Sequence, residues 1–135
     1  MIKRIAHLCF TVADLEASRY FYCDVMGLKQ AFDFVRDGKV VGFYLDAGSG
    51  NFLEFFKTGE KKTGESAIAH FCLEVDCIDE MREKFIKAGI PVSEKSMGAD
   101  HSYQAWITDP DGVQIELHEY TPESCQYTHK PCILK

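Results

Sequence analysis

No stretch of this 135-residue chain comes near the roughly 18 consecutive apolar residues of a membrane-spanning helix, and no surplus of basic residues marks it for nucleic acid. With 15 Lys and Arg against 21 Asp and Glu, the formal net charge is −6 and the pI is near 5.3. Phosphate backbones and anionic membrane surfaces are therefore disfavoured partners. A signal-peptide core is missing too, since Met1-Ile2-Lys3-Arg4-Ile5 runs directly into an alternating pattern, and a cytoplasmic location is expected. Without an export signal, and in a chain long enough to build a core, Cys9, Cys23, Cys72, Cys77, Cys125 and Cys132 read as reduced thiols rather than a disulfide framework. What remains, 46% hydrophobic and 27% charged, is the composition of a soluble globular domain.

The chain is written twice. Ile5-Ala6-His7-Leu8-Cys9-Phe10-Thr11-Val12 returns 63 residues later as Ile68-Ala69-His70-Phe71-Cys72-Leu73-Glu74-Val75, matching at Ile, Ala, His, Cys and Val. Gly27-Leu28 answers to Gly89-Ile90, and Phe52-Leu53-Glu54-Phe55 to Gln114-Ile115-Glu116-Leu117, now 62 residues apart. Each copy opens on a period-two strand, followed by helical spacing over Leu15 to Met26 and Ile78 to Ala88. Asp14 and Asp76 are the expected N-caps, and Gly27 and Gly89 the stops. Further strands are expected at Leu28 to Val35, Val40 to Ala47 and Asn51 to Phe56, then at Pro91 to Lys95, His101 to Thr108 and Val113 to Tyr120. Asp37-Gly38 and Asp109-Pro110-Asp111-Gly112 supply turns. The fold class is α+β: a βαβββ module over 1–56, a polar linker over 57–66, a second module over 67–120 and a C-terminal arm over 121–135 with no clear period.

Side chains two apart on a strand share a face. If Leu8, Phe10 and Val12 pack under the helix, His7, Cys9 and Thr11 point the other way, and the same parity separates His70, Cys72 and Glu74 from Phe71, Leu73 and Val75. Glu54, with Phe52 and Phe56, and Glu116, with Gln114 and His118, also fall on the faces opposite the helices. Each module thus offers one imidazole and one carboxylate. Taken singly, a strand histidine is more often a hydrogen-bonded core residue and a strand glutamate more often solvated; recurrence in both copies points instead to a shared metal centre. His7, Glu54, His70 and Glu116 would suit one divalent transition metal, Zn, Ni or Co before Fe or Mn, balanced by two carboxylate charges. Tyr44 and Trp106 occupy equivalent third-strand positions, and with Phe52, Phe56 and Gln104 they are candidates for a substrate wall; ordinary core filling is the competing account. Cys9 and Cys72 read as buried apolar cysteines, and His101 and His118 as supporting or surface groups.

With those residues in view, the chain resembles the vicinal oxygen chelate superfamily, the glyoxalase, bleomycin-resistance and dioxygenase group. The resemblance runs from about Ile5 to Glu119 and is carried by Ile5-Ala6-His7, by Tyr20-Phe21-Tyr22 before Met26-Gly27-Leu28, and by Asp109-Pro110-Asp111-Gly112-Val113-Gln114-Ile115-Glu116-Leu117. It implies paired modules forming a cup-shaped barrel, a small-molecule substrate chelated through two neighbouring oxygens, and a homodimer. His7, Glu54, His70 and Glu116 fall at the four ligand positions, and this complete two-His, two-Glu set looks most like glyoxalase I, the lactoylglutathione lyase branch. Thr11 and Thr58 stand where bacterial glyoxalase I enzymes tend to hold glutathione with Arg and Asn, so those contacts do not carry over.

The chemistry this implies is that of a lyase or isomerase. A cation would stabilise the enediolate left when a carbon-bound proton of an α-hydroxycarbonyl or thiol adduct is removed, and Glu54 or Glu116 would be the catalytic group that moves the proton. Sequence makes the two glutamates equivalent. An epimerase of an acyl or sugar substrate, and a non-catalytic drug-binding resistance protein of the same fold, are the alternative expectations.

Overall fold

The computed structural model describes residues 1, 3–58 and 68–134, and the chain divides into two compact units, Met1–Glu65 and Ser66–Lys135. The expected linker beyond Thr58 falls outside the described residues. Each unit is a βαβββ module, so the α+β tandem reading holds.

In the first module, β1 (His7–Val12) is followed by α1 (Leu15–Arg19), a π-helical segment (Tyr20–Val25), β2 (Lys29–Arg36), β3 (Lys39–Asp46) and β4 (Phe52–Lys57). The sheet order is β1-β4-β3-β2, with β1 parallel to β4 and the remaining pairs antiparallel. Asp14 caps α1 as expected, its carboxylate accepting from the Glu16 and Ala17 amides at 2.9 and 3.4 Å. The helix expected to run unbroken to Met26 instead widens: the Met26 amide donates to the Phe21 carbonyl at 3.0 Å, a five-residue step. That wider turn brings Phe21, Tyr22, Val25 and Met26 all to the buried side. There Tyr22, Phe10 and Phe43 pack on the Phe55 ring, at centroid distances of 4.8, 5.1 and 4.8 Å. Asp37 and Gly38, both at positive φ (50° and 70°), close the β2–β3 hairpin as the sequence anticipates.

The second module repeats the plan with β5 (Phe71–Glu74), α2 (Ile78–Lys87), β6 (Ser96–Met97), β7 (Tyr103–Thr108) and β8 (Gln114–Glu119), in the order β5-β8-β7-β6. Two expectations fail here. Asp76 does not cap α2: Cys77 stands at the cap without a side-chain bond, and the Ile78 amide donates to the Glu119 carboxylate at 2.8 Å, a partner from β8 that local sequence cannot reveal. The strand expected over Pro91 to Lys95 shrinks to an isolated Val92–Ile107 bridge, with β6 forming one step later. Ser93 accounts for the break: its N–H still donates to the Trp106 carbonyl at 2.9 Å, but the Trp106 amide goes to the Ser93 hydroxyl at 2.8 Å instead of to a backbone carbonyl.

Asp109, nearly buried, organises the β7–β8 turn by accepting from the Asp111 and Val113 amides at 2.9 and 2.8 Å. The tail is docked on its own module through a short α3 (Cys125–Thr128) and the buried Ser124, whose hydroxyl meets that of Ser102 at 2.9 Å. Among the described residues no helix is long and apolar enough to cross a membrane.

Candidate metal centre

Parity decides which side chains are available. Along β1 the exposed residues are His7, Cys9 and Thr11, while Val12 is fully buried; along β4, Leu53 and Phe55 are buried and Phe52, Glu54 and Phe56 lie between. The parallel β1–β4 register sets Cys9 opposite Glu54 and, two residues nearer the strand start, His7 opposite Phe52. His7 therefore reaches Glu54 on the diagonal, with Nε2 3.2 Å from Oε2. In the second module His70 Nε2 stands at the same 3.2 Å from Glu116 Oε2. Both glutamate side chains are drawn in, at 16% and 11% exposure, and both histidines stay accessible, at 45% and 39%.

The third strands complete each half. Tyr44 is registered against Glu54 and Trp106 against Glu116, and each ring lies edge-on to its module's histidine, at 5.8 Å from His7 and 4.8 Å from His70. Phe52 stacks on Tyr44 at 5.0 Å, Phe56 flanks Glu54 on the same strand, and Gln104 is registered against His118. Each expected wall residue thus sits on the face of its module that carries the His–Glu pair.

Three features add to or correct the sequence reading. His118, nine-tenths buried, places Nε2 3.0 Å from Glu116 Oε1, so Glu116 meets one imidazole at each oxygen. The other ring nitrogen of His118, Nδ1, has no hydrogen-bond partner. The equivalent first-module residue is Phe56, and Glu54 has no such second imidazole among the described residues. Phe32 and Phe34 of β2 join the wall, Phe32 stacking on Tyr44 at 4.7 Å and Phe34 packing on Phe56 at 4.6 Å; the irregularity between Gln30 and Phe32 hides their facing from simple alternation. Cys9 and Cys72, expected to be buried, are exposed, because they share the face of the histidines.

Desolvation of the Cys72 sulfur, followed by the Glu116 charge, pushes its thiol up to about 12. Desolvation and then Glu54 raise Cys9 in the same direction. Cys72, Glu116 and His118 offer ligand atoms within 4.8 Å of one another.

The donor set fits a divalent cation. Two ligand atoms each about 2.1 Å from one ion, at angles between a right angle and the tetrahedral value, lie about 3.0–3.4 Å apart, and both His–Glu pairs fall in that interval. No Lys or Arg ion pair occupies either glutamate among the described residues. Imidazole nitrogen with carboxylate oxygen is the chemistry of Zn, Ni, Co, Fe or Mn rather than of calcium.

Comparison with known proteins agrees with this architecture. The chain is 26% identical over 123 residues to the metallothiol transferase FosB of Lysinibacillus sphaericus, covering 89% of this chain and 84% of that protein. It is 30% identical over 128 residues to the virulence protein STM3117 of Salmonella typhimurium, covering 89% and 86%. Among solved structures, a lactoylglutathione lyase from Agrobacterium tumefaciens superposes with a TM-score of 0.66 at 25% identity, over 87% of this chain and 94% of that one. Residues 4–117 match the family model itself, and the chain belongs to the glyoxalase/bleomycin resistance protein/dioxygenase superfamily.

Proposed function

We propose that the protein is a metal-dependent lyase or isomerase of the glyoxalase I type, with His7, Glu54, His70 and Glu116 as ligands of one divalent transition metal. The observation that carries the reading is the recurrence of a His Nε2–Glu Oε2 distance of 3.2 Å in both modules. Its substrate is a small α-hydroxycarbonyl or thiol adduct, the chain works as a homodimer, and its place is the cytoplasm. A bound cation supplies Lewis acidity to two neighbouring substrate oxygens.

The residues do the rest. Tyr44, Phe52, Phe56, Gln104 and Trp106 bound the substrate and limit water at the carboxylates. A glutamate takes the carbon-bound proton and returns it to the neighbouring carbon, and the two candidates differ in restraint. Glu116 is held by imidazoles at both oxygens, which makes it the anchor, whereas Glu54 meets a single imidazole, that of His7, and is flanked by phenyl rings, which makes it the proton carrier.

Metal analysis of the purified protein, followed by turnover of hemithioacetals and hydroxyketones in deuterated water, tests the reading. Near-stoichiometric transition metal and solvent deuterium in the product are expected. Glu54→Gln should keep the metal and lose about 10²–10⁴ in turnover, while Glu116→Gln should lose metal as well. A protein that takes up no metal after reconstitution would instead be a binder of the same fold.

A further inference from the structure

The two modules differ on the face that carries the His–Glu pair. In the first, Phe32, Tyr44 and Phe52 form a row of near-parallel rings across β2, β3 and β4, with spacings of 4.7 and 5.0 Å and interplanar angles of 20° and 24°. Phe34 and Phe56, 4.6 Å apart, lie beside it, and Gly42 leaves the space they share, since a Cβ there would meet the Phe56 ring at 2.8 Å. In the second module the positions matching Phe52 and Phe56 are Gln114 and His118. The first sheet therefore carries a cluster of aromatic rings on the face its helix leaves uncovered.

That aromatic surface surrounds a polar centre. Tyr44 lies 5.8 Å from His7 and is registered against Glu54, and Glu54 sits between Phe52 and Phe56 along β4. A protein surface laid across it would have to desolvate the Glu54 carboxylate together with its His7 partner, which opposes an all-apolar occupant. Lys29, the sole cation registered on this face among the described residues, is opposite Asp46, which leaves little for an anionic headgroup.

From this we infer that the substrate carries a flat aromatic or comparably planar apolar group next to its chelating oxygens, and that Phe32 and Phe34 set this preference by stacking against it. The inference rests on the metal reading above and adds the substrate class.

The test uses Co2+-loaded protein titrated with benzohydroxamate and with acetohydroxamate, read by the visible absorption of cobalt. Both probes present the same two neighbouring oxygens and differ only in phenyl against methyl. Benzohydroxamate should bind at least about tenfold more tightly. Phe34→Ala, and separately Phe32→Ala at a position 48% exposed whose removal spares the core, should each reduce that ratio to about threefold or less. Equal affinities in the unaltered protein would overturn the aromatic preference and leave the metal reading standing. No cobalt spectral change with either probe would overturn the metal reading and this inference together.

Discussion

His118 and Glu116, two residues apart on one strand, face each other at 3.0 Å, Nε2 to Oε1, and this contact separates two glutamates that the duplication would otherwise make alike. The first module has Phe56 where the second has His118. Restraint of a ligand by an outer hydrogen bond is commonly worth one to two orders of magnitude in metal affinity.

Replacing His118 with Phe, its first-module counterpart, should therefore weaken metal binding by about 10–100-fold in a chelator-competition assay. His118→Gln, which keeps an N–H donor, should recover part of that loss. Unchanged affinity in both variants would leave His118 a packing residue.

The Cys72 thiol, raised to about 12, should be nearly inert in metal-free protein. At pH 8 about one part in 10⁴ is thiolate, so alkylation by iodoacetamide should run orders of magnitude slower than for a free thiol. Glu116→Gln removes a charge that disfavours the thiolate and should speed labelling of Cys72, as followed by peptide mass spectrometry. A rate indifferent to Glu116 would place the shift on desolvation alone.

Gly42 lies in β3 where an added side chain has no room. An alanine Cβ would collide with the Phe55 carbonyl oxygen as well as the Phe56 ring. Because the carbonyl belongs to the ladder and cannot swing aside, Gly42→Ala should destabilise by about 2–3 kcal/mol, visible as a lower urea midpoint at unchanged slope.

Lys95 ties α2 to the end of β8, with Nζ 3.1 Å from Asp79 Oδ2 and 3.0 Å from Glu119 Oε2. Burial alone would lower its pKa, but the two carboxylates outweigh it and hold the ammonium above its usual 10.5. A raised folded-state pKa contributes stability that is complete below 10.5 and disappears as pH climbs through the raised value. Lys95→Met should thus lose about 1 kcal/mol at pH 8. The gap to the unaltered protein should narrow above 10.5.

Much of this site could be read from the chain because a strand has a period of two. Once the helices were located, parity alone set His7 with Glu54, and His70 with Glu116, on the uncovered faces, and the repeat raised coincidence to pattern. The same parity also contradicted the expectation of buried Cys9 and Cys72, which lie between the exposed residues of the same strands. What stayed hidden came from irregularity or from distant partners. The strand irregularities in β2 scrambled the facing of Phe32 and Phe34, the Ser93 hydroxyl displaced β6, and the Glu119 carboxylate took the capping role that Asp76 was expected to fill. Neither periodicity nor propensity reports which way a histidine such as His118 turns its ring.

In both modules the first strand pairs with the last, β1 with β4 and β5 with β8, so the polypeptide must traverse its helix and two intervening strands before the imidazole meets its carboxylate. During synthesis each histidine leaves the ribosome long before the glutamate that completes it. In the proposed metal site, a half-made module therefore presents its imidazole without the carboxylate until the closing strand is in place.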